Sequence, residues 1–472
     1  MASDTPQWPL FRTIFRHHQP YWGGAPVEWY GTGMLPARNR GFRAPNVVVG
    51  ALIFSALFGA CAELSAHDPT PQNMGIEIAD TAPRTLAETD AVALASVVKA
   101  TRAAGVAMIK DSPGENVIVS PSSFVVALSM LSEGAKGQTL TELESVIGAS
   151  GEQRRDALVA LRSALAPFEG DPALVKAKKL PQTPMVHLAS QVIVDDNLEA
   201  NPSFLSALSQ VYGAGLQHTD LGSSAGKHVL DTWVKQNSGG LIQKSAIEPQ
   251  PELLLVLQDA IVLAAKWAQP FATYATADRP FTLATGKEVD TPTMQQMAQF
   301  AFAEVKGWQA VRLPYTGAEL HADFILPPLG TDPATATAKL LSDLNTALTK
   351  AKPEMVSLSV PVLDIKPEMP LDLLSTIASL GAPTVLDKAK ADLSGIGTSA
   401  ERLFLGQGVQ QAILQVDEEG TRAAAVTEFG VVGSGAPVPA REVNFDRPFA
   451  IVVAHTDTSW PLFQAAIRDP RP

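Results

Sequence analysis

Between two segments that read as strands, QAILQVDE (411–418) and FAIVVAHT (449–456), lies the stretch that most constrains this chain: EEGTRAAAVTEFGVVGSGAPVP, from Glu418 to Pro439. Its residues are small and weakly hydrophobic, which by itself describes a long exposed loop. Its alternation says more. Thr421, Ala423, Ala425 and Thr427 fall on one face of an extended chain, while Arg422, Ala424, Val426 and Glu428 fall on the other. Narrow residues can then point inward while the charged ones face water. A segment that is both loop-like and strand-competent admits two states.

The chain has 472 residues, enough for one large domain or two. Charged residues make up 18% and hydrophobic ones 46%, which excludes disordered, collagen-like and coiled-coil classes. The formal charge of -12 argues against a phosphate-binding surface, so nucleic acid is not an expected partner. A single cysteine, Cys61, rules out an internal disulfide framework and a thiolate metal cage. The eight histidines are scattered without metal-ligand spacing, and the chain has no GxSxG elbow and no phosphate-cradling glycine loop. No metal, no cofactor, no catalytic residue and no enzymatic turnover are expected. Asp417, Glu418 and Glu419 form the one acidic cluster beside the two-state segment, and they read as a solvated strand end rather than an acid/base site.

Near the N-terminus, Arg38, Arg40 and Arg43 precede the 16-residue apolar run VVVGALIFSALFGACA (47–62). A spanning helix needs about 20 apolar residues, whereas a basic stretch followed by a short apolar core fits an export signal. Cys61 closes the run in the string LFGAC, which resembles a bacterial lipobox, with Phe58 where that pattern prefers Leu, Val or Ile. The alternative is a plain secretory signal, or a packed apolar strand with a buried thiol. The expected organisation is an upstream extension over 1–33, with Met34 as the true start, a signal peptide over 34–60, a Pro-broken tether over 61–85 and one folded domain over 86–472. Cys61 would carry a lipid, the only membrane attachment expected, on the outer surface or in the periplasm.

Within the domain, Leu86, Val92, Leu94, Val97, Val98 and Val106 space an amphipathic helix over 86–110. A second helix starts at Ser120-Pro121, where Ser caps and Pro suits the first turn, and a third restarts at Thr139, three residues before Glu142 in capping-box spacing. Further helices are expected over 203–212, 229–237, 336–349 and 371–380. Strands are expected over 187–195, 281–285, 322–327, 356–365, 411–418 and 449–456. Helices come first and strands dominate later, which favours an α+β domain over alternating βαβ winding.

Several of these strings resemble the serpin family. The strongest is Glu418-Glu419-Gly420-Thr421 followed by Ala423, Ala424, Ala425 and Thr427, which is similar to the hinge of the reactive-centre loop in inhibitory serpins. NVIVSPSSFVVALSMLSEGAKGQT (116–139), WVKQNSGGLI (233–242), Trp267 with Phe271, ADLSGI (391–396), FDRPF (445–449) and PLFQAAIRDP (461–470) match in order and spacing. The resemblance covers about 86–470. It implies three β-sheets with eight or nine helices, an exposed reactive-centre loop and a monomeric suicide substrate whose partner is a serine protease. Ser120, Pro121, Ser122, Gln410 and Trp267 correspond to the region where the central sheet opens. Counted from Glu418, the scissile bond falls between Ser434 and Gly435, within Val432 to Ala436. Small uncharged residues there suit an elastase-like or subtilisin-like pocket and not a trypsin-like one. Three positions depart from the family pattern: Gln410-Gln411 replaces a His-Lys pair, Val362 follows Pro361 where a Lys able to pair with Glu418 is common, and Ala465 replaces a frequent Gly.

Overall fold

A computed structural model describes residues 84, 90–112, 116–421 and 439–471 of the chain. Among them are eight α-helices: α1 (Ala91–Lys110), α2 (Pro121–Ser132), α3 (Gly137–Ile147), α4 (Gly151–Leu165), α5 (Pro202–Tyr212), α6 (Ser224–Asn237), α7 (Ala338–Lys350) and α8 (Leu374–Ser379). The strands of the first half are β1 (Val117–Val119), β2 (Met185–Val194), β3 (Glu199–Ala200), β4 (Gly215–His218), β5 (Leu255–Lys266), β6 (Ala277–Thr282), β7 (Glu288–Val305), β8 (Trp308–Pro314) and β9 (Leu320–Leu326). Those of the second are β10 (Glu354–Pro361), β11 (Leu363–Ile365), β12 (Leu371–Asp372), β13 (Gly397–Thr398), β14 (Val409–Gln410), β15 (Leu414–Val416), β16 (Gly420–Thr421), β17 (Arg441–Asn444), β18 (Phe449–His455) and β19 (Pro461–Ile467).

The strands build three large sheets, two of them joined through β7. One sheet runs β11-β15-β16-β5-β2-β4. The lower part of β7 pairs with β6 and β10 as far as Phe300, and from Ala301 the same strand pairs with β8. That single strand carries the chain from a small sheet completed by β17 into a layer that continues β8-β9-β18-β19-β1. Pairing is antiparallel except for β2 with β4 and β10 with β17, as an α+β fold requires.

Helix α2 lies at the centre. Ser120 caps it by accepting from the Ser123 amide at 3.3 Å, Pro121 occupies its first turn, and every residue except Ala127 is buried. A helix buried all round is a core element, not a surface one. Strings far apart in sequence close around it. Asn116 Oδ1 accepts from the Arg468 and Asp469 amides at 2.8 and 3.0 Å, and the Lys136 amide donates to the Asp392 carbonyl at 2.9 Å. Phe445 and Phe449 of the FDRPF string meet edge to face at 5.2 Å in the core.

Several expected boundaries are corrected. The Thr139–Glu142 capping box does not form: α3 begins at Gly137 with Lys136 as its cap residue and no side-chain cap. Thr139 Oγ1 instead accepts from the Asp392 amide, and Glu142 binds Thr384. The helix expected over 371–380 shortens to α8, because 371–372 pair with β14 and Gly381 turns the chain at φ 104°. The strand over 411–418 pairs only at 414–416. Helix α4 and strands β5, β7, β8 and β19 have no counterpart in the sequence reading. Strand β7 escapes because MQQMAQ lacks both β-branched residues and clean alternation. Of the tether, only Arg84 is described, and it is held by Asp156 at 2.7 Å and Glu152 at 2.6 Å on α4.

Beyond the end of α2, the Glu133 side chain is fully buried and accepts from Arg154 at 2.8 Å, from Arg155, and from the Tyr212 hydroxyl at 3.0 Å. Arg154 is itself 2% exposed. Removing one partner of a buried charged pair costs about 3–5 kcal/mol, because the other charge stays buried. Glu133→Gln keeps the volume and removes the charge, so its urea unfolding midpoint should fall by the equivalent of about 3 kcal/mol; an unchanged midpoint would show that Glu144, 3.3 Å from Arg154, suffices alone.

Candidate functional site

The described part of the two-state segment begins in a tight turn. Asp417 Oδ1 accepts from the Glu419 and Gly420 amides at 2.9 and 3.0 Å, and the Asp417 amide donates to the Gly420 carbonyl at 3.0 Å. An aspartate that closes its own turn in this way reverses the chain without help from distant residues. The turn is then pinned from the side: the Trp267 amide donates to the Glu419 carbonyl, the Phe271 amide to the Glu418 carbonyl, and Trp267 Nε1 to the Asp417 carbonyl at 3.0 Å.

The three acids are therefore not a solvated strand end. Glu418 accepts from Thr276 Oγ1 at 2.6 Å, taking no partner from the position after Pro361, where the Val362 amide binds the Pro292 carbonyl. Glu419, 9% exposed, sits 3.9 Å from Lys266 Nζ and accepts from the Leu180 amide.

Past the turn, β16 lies between two strands. Thr421 is across from Val416 of β15 and from Ala265 of β5. Gly420 is required there, since a Cβ would stand 2.1 Å from the Ala265 carbonyl oxygen. Thr421 is 6% exposed and shares a hydrogen bond with the Tyr315 hydroxyl at 2.5 Å. Tyr315 stacks on Trp267 with ring centres 4.7 Å apart, and burial holds its phenol well above the usual value, so it remains a hydroxyl across physiological pH. The inward placement of Thr421 expected from alternation is what the geometry shows.

Below Thr421, β5 and β15 have no strand between them among the described residues. A cavity of about 720 Å³ occupies the gap, walled by Leu257, Asp259 and Ile261 of β5, Phe124 and Leu128 of α2, and Gln410. Burial along β5 records the same gap. Residues 263–265, next to Thr421, are buried, whereas Leu255, Leu257, Asp259 and Ile261 are only partly covered although they face the interior.

At the far end of the cavity the Gln410 amide clamps Ser120 twice, accepting from its amide at 2.7 Å and donating to its carbonyl at 2.9 Å. Ser120 Oγ meets Ser122 Oγ at 3.2 Å, and Ser122 bonds the Leu462 carbonyl. Ser120, Pro121, Ser122 and Gln410 are thus brought together at the start of α2, while Trp267 belongs to the turn at the other end. The sequence reading missed Asp259. Its carboxylate, 5% exposed, accepts from Ser190 Oγ at 2.7 Å and lies 3.7 Å from Arg162, and burial pushes its pKa up to about 6 against the pull of that arginine. The available signal was one acid inside the apolar run LLLVLQDAIVLAA.

A family model described as serpin, serine protease inhibitor, matches residues 105–470. The chain belongs to the serpin family. It is similar to the leukocyte elastase inhibitor of Bos taurus, 28% identical over 380 residues that cover 77% of this chain and 95% of that protein. Similarity to human serpin B9 is 29% over 376 residues, covering 77% and 95%. Among solved structures, the native thermophilic serpin tengpin superposes with a TM-score of 0.71 at 22% identity, covering 82% of this chain and 97% of that one. Human kallistatin gives 0.68 at 25%, covering 81% and 100%. The serpin fold expected from the sequence, with several sheets and its helices, is the fold observed. Ala423, Ala424, Ala425, Thr427, the stretch Val432 to Ala436 with Ser434 and Gly435, and Cys61 lie outside the described residues. Among the described residues no group of His, Cys, Asp and Glu could hold a metal ion.

If the turn of this serpin depends on the close approach at Gly420, Gly420→Val should detach β16 from β5. Hydrogen exchange read by mass spectrometry should then show the Trp267 amide opening about tenfold or more faster with α2 unchanged. Equal protection in both proteins would mean that the contact is dispensable.

Proposed function

We propose that this serpin inhibits serine proteases as a suicide substrate: the protease cleaves the segment after Thr421, and the freed strand enters the gap between β5 and β15. The observation that carries this reading is the position of β16, already paired on both sides at the mouth of a cavity of about 720 Å³ that has no strand in it among the described residues. Insertion would give the facing edges of β5 and β15 a partner. Some ten new backbone hydrogen bonds at about 1 kcal/mol each, before ordering costs, are a sufficient driving force. The uncleaved form is then held by a kinetic barrier rather than by being the most stable state. Insertion needs narrow side chains on the inward face, which Thr421, Ala423, Ala425 and Thr427 supply.

The bait, Val432 to Ala436 with cleavage after Ser434, has only small uncharged residues. Such residues fit a shallow apolar specificity pocket, so the proposed targets are elastase-like or subtilisin-like proteases. Relatives bearing the name leukocyte elastase inhibitor agree with that choice. The protein is consumed rather than turning over, and it works as a monomer. Lipidation at Cys61 would hold it at a membrane surface, with 61–85 as tether.

Mixing the protein with elastase-like and subtilisin-like enzymes should give an SDS-stable complex. Clean cleavage with no complex and no gain in heat stability would instead identify a noninhibitory serpin acting as a binding protein. Thr421→Arg should lower complex formation, because a guanidinium would have to be buried beside Tyr315, where Thr421 already sits; complex formation equal to the parent's would show that seating of residue 421 between β5 and β15 is dispensable. Cys61→Ser should move the protein from the membrane fraction to the soluble one, and its retention in the membrane would leave the apolar run itself as the anchor.

A further inference from the structure

Two glutamines line the cavity below Thr421 within one short stretch, and they fasten to different parts of the domain. Gln410 binds Ser120 at the start of α2. Gln407 reaches the connection between α6 and β5: its Oε1 accepts from the Glu248 amide at 3.1 Å, and its Nε2 donates to the Glu248 carbonyl at 2.9 Å. One carboxamide thus takes both backbone groups of a single residue, as a facing strand residue does.

Topology sets where this bridge lies. Strand β16 is antiparallel to both β5 and β15, so those two strands run the same way and both end beside Thr421. Their first residues, Leu255 and Leu414, therefore lie toward the far end of the cavity, and Glu248 and Gln407 precede them by the same number of residues. Each of these entry segments is anchored on its own side. Ahead of β5, the Ser245 amide donates to Asp231 of α6 at 2.9 Å, and the Leu254 carbonyl accepts from the Asp195 amide, just past β2, at 3.0 Å. Ahead of β15, the Leu405 amide donates to the Val385 carbonyl at 2.9 Å, and the Gly408 carbonyl accepts from the Leu373 amide at 2.8 Å. The Gln407–Glu248 pair crosses from one side to the other.

We propose that Gln407 is a positioning residue of the inhibitor: its paired hydrogen bonds to Glu248 strap the entry segments of β5 and β15 together, and the strap must release before the two strands move apart. The consequence for inhibition rests on the insertion mechanism proposed above, whereas the strap itself is a property of the uncleaved protein. Gln407 is half-buried and Glu248 is exposed, so water replaces the two bonds readily once they part, and each contributes modestly. Their loss should make separation of the strands about fivefold to tenfold more frequent. A glutamine suits this place because it accepts and donates at once without titrating. A glutamate there would still accept from the amide but would set an oxygen against the Glu248 carbonyl, and it would regain a donor only when protonated, near pH 4.

The test compares the full chain with Gln407→Leu and Gln407→Glu, uncleaved, by hydrogen exchange read by mass spectrometry. In Gln407→Leu the peptides covering 255–262 and 414–416 should exchange about fivefold to tenfold faster than in the parent, with α1 unchanged. Gln407→Glu should match it at pH 7 and return toward the parent at about pH 4, a recovery that general damage to the fold would not give. Faster exchange confined to the peptide holding Glu248 would make the bridge a surface contact and overturn the proposal. Loosened strands without recovery at about pH 4 would place the effect in the packing of Gln407 rather than in its bonds, and overturn it as well. With an elastase-like protease, Gln407→Leu should form the SDS-stable complex about fivefold faster than the parent, and equal rates would remove the positioning role. If the strands loosen as expected but neither protein forms a complex, the inhibitory reading falls and the strap stands.

Discussion

Two strand edges that face each other without pairing set the terms for the rest of this structure. Among the described residues Gly420 and Thr421 are the strand between β5 and β15, and a cavity occupies the rest of the interval. Unpaired edges inside a sheet are costly, because each buried amide and carbonyl wants a partner. The fold tolerates them by bracing both ends of the gap. At one end the Asp417 turn, Trp267 and Tyr315 fix where a strand would enter. At the other the Gln410 amide ties β14 to the start of α2, a helix buried at every residue but Ala127.

The two braces differ in kind. The turn is built largely from backbone bonds and from an aspartate that closes on its own neighbours, so it keeps its form whatever the strands below it do. The clamp at Gln410 is a pair of bonds from one side chain to one residue, and separating β14 from α2 must break both together. A histidine at that position would make the clamp depend on pH; glutamine does not titrate. Asp259, on the opposite strand, also lines the cavity, and its carboxylate is bonded to Ser190 and lies near Arg162.

Much of the fold was legible in the sequence because it is written in local signals. Ser120-Pro121 announced α2, and the buried position of Thr421 agrees with its place in the alternation, whose later members Ala423 and Ala425 lie outside the described residues. What escaped was fixed by partners far away in the chain. Strand β7 is polar and rich in Gln and Met, and it is a strand because β6, β8 and β10 pair along it. Thr139 and Glu142 have the spacing of a capping box, yet Asp392 and Thr384 offer them better partners than the helix start does. The acids 417–419 look like solvated charge until the turn shows each one bonded. Glu418, whose expected partner at position 362 is a valine here, found Thr276 instead. A hydroxyl replaces a charge there, so this contact can let go without leaving an unpaired cation behind.

That substitution bears on how the sheet can open. In a buried ion pair, separation strands two charges and raises the barrier, whereas a hydroxyl–carboxylate bond near the surface is readily exchanged for water. Glu418 is half-buried and Thr276 is half-buried, so both can be resolvated once the turn moves. In the proposed mechanism, resistance to opening would lie largely in neutral interactions: the stacked Trp267–Tyr315 pair with Thr421 against it, and the double amide bond of Gln410. Neither can be weakened by salt, since neither is an ion pair, and neither titrates near neutral pH.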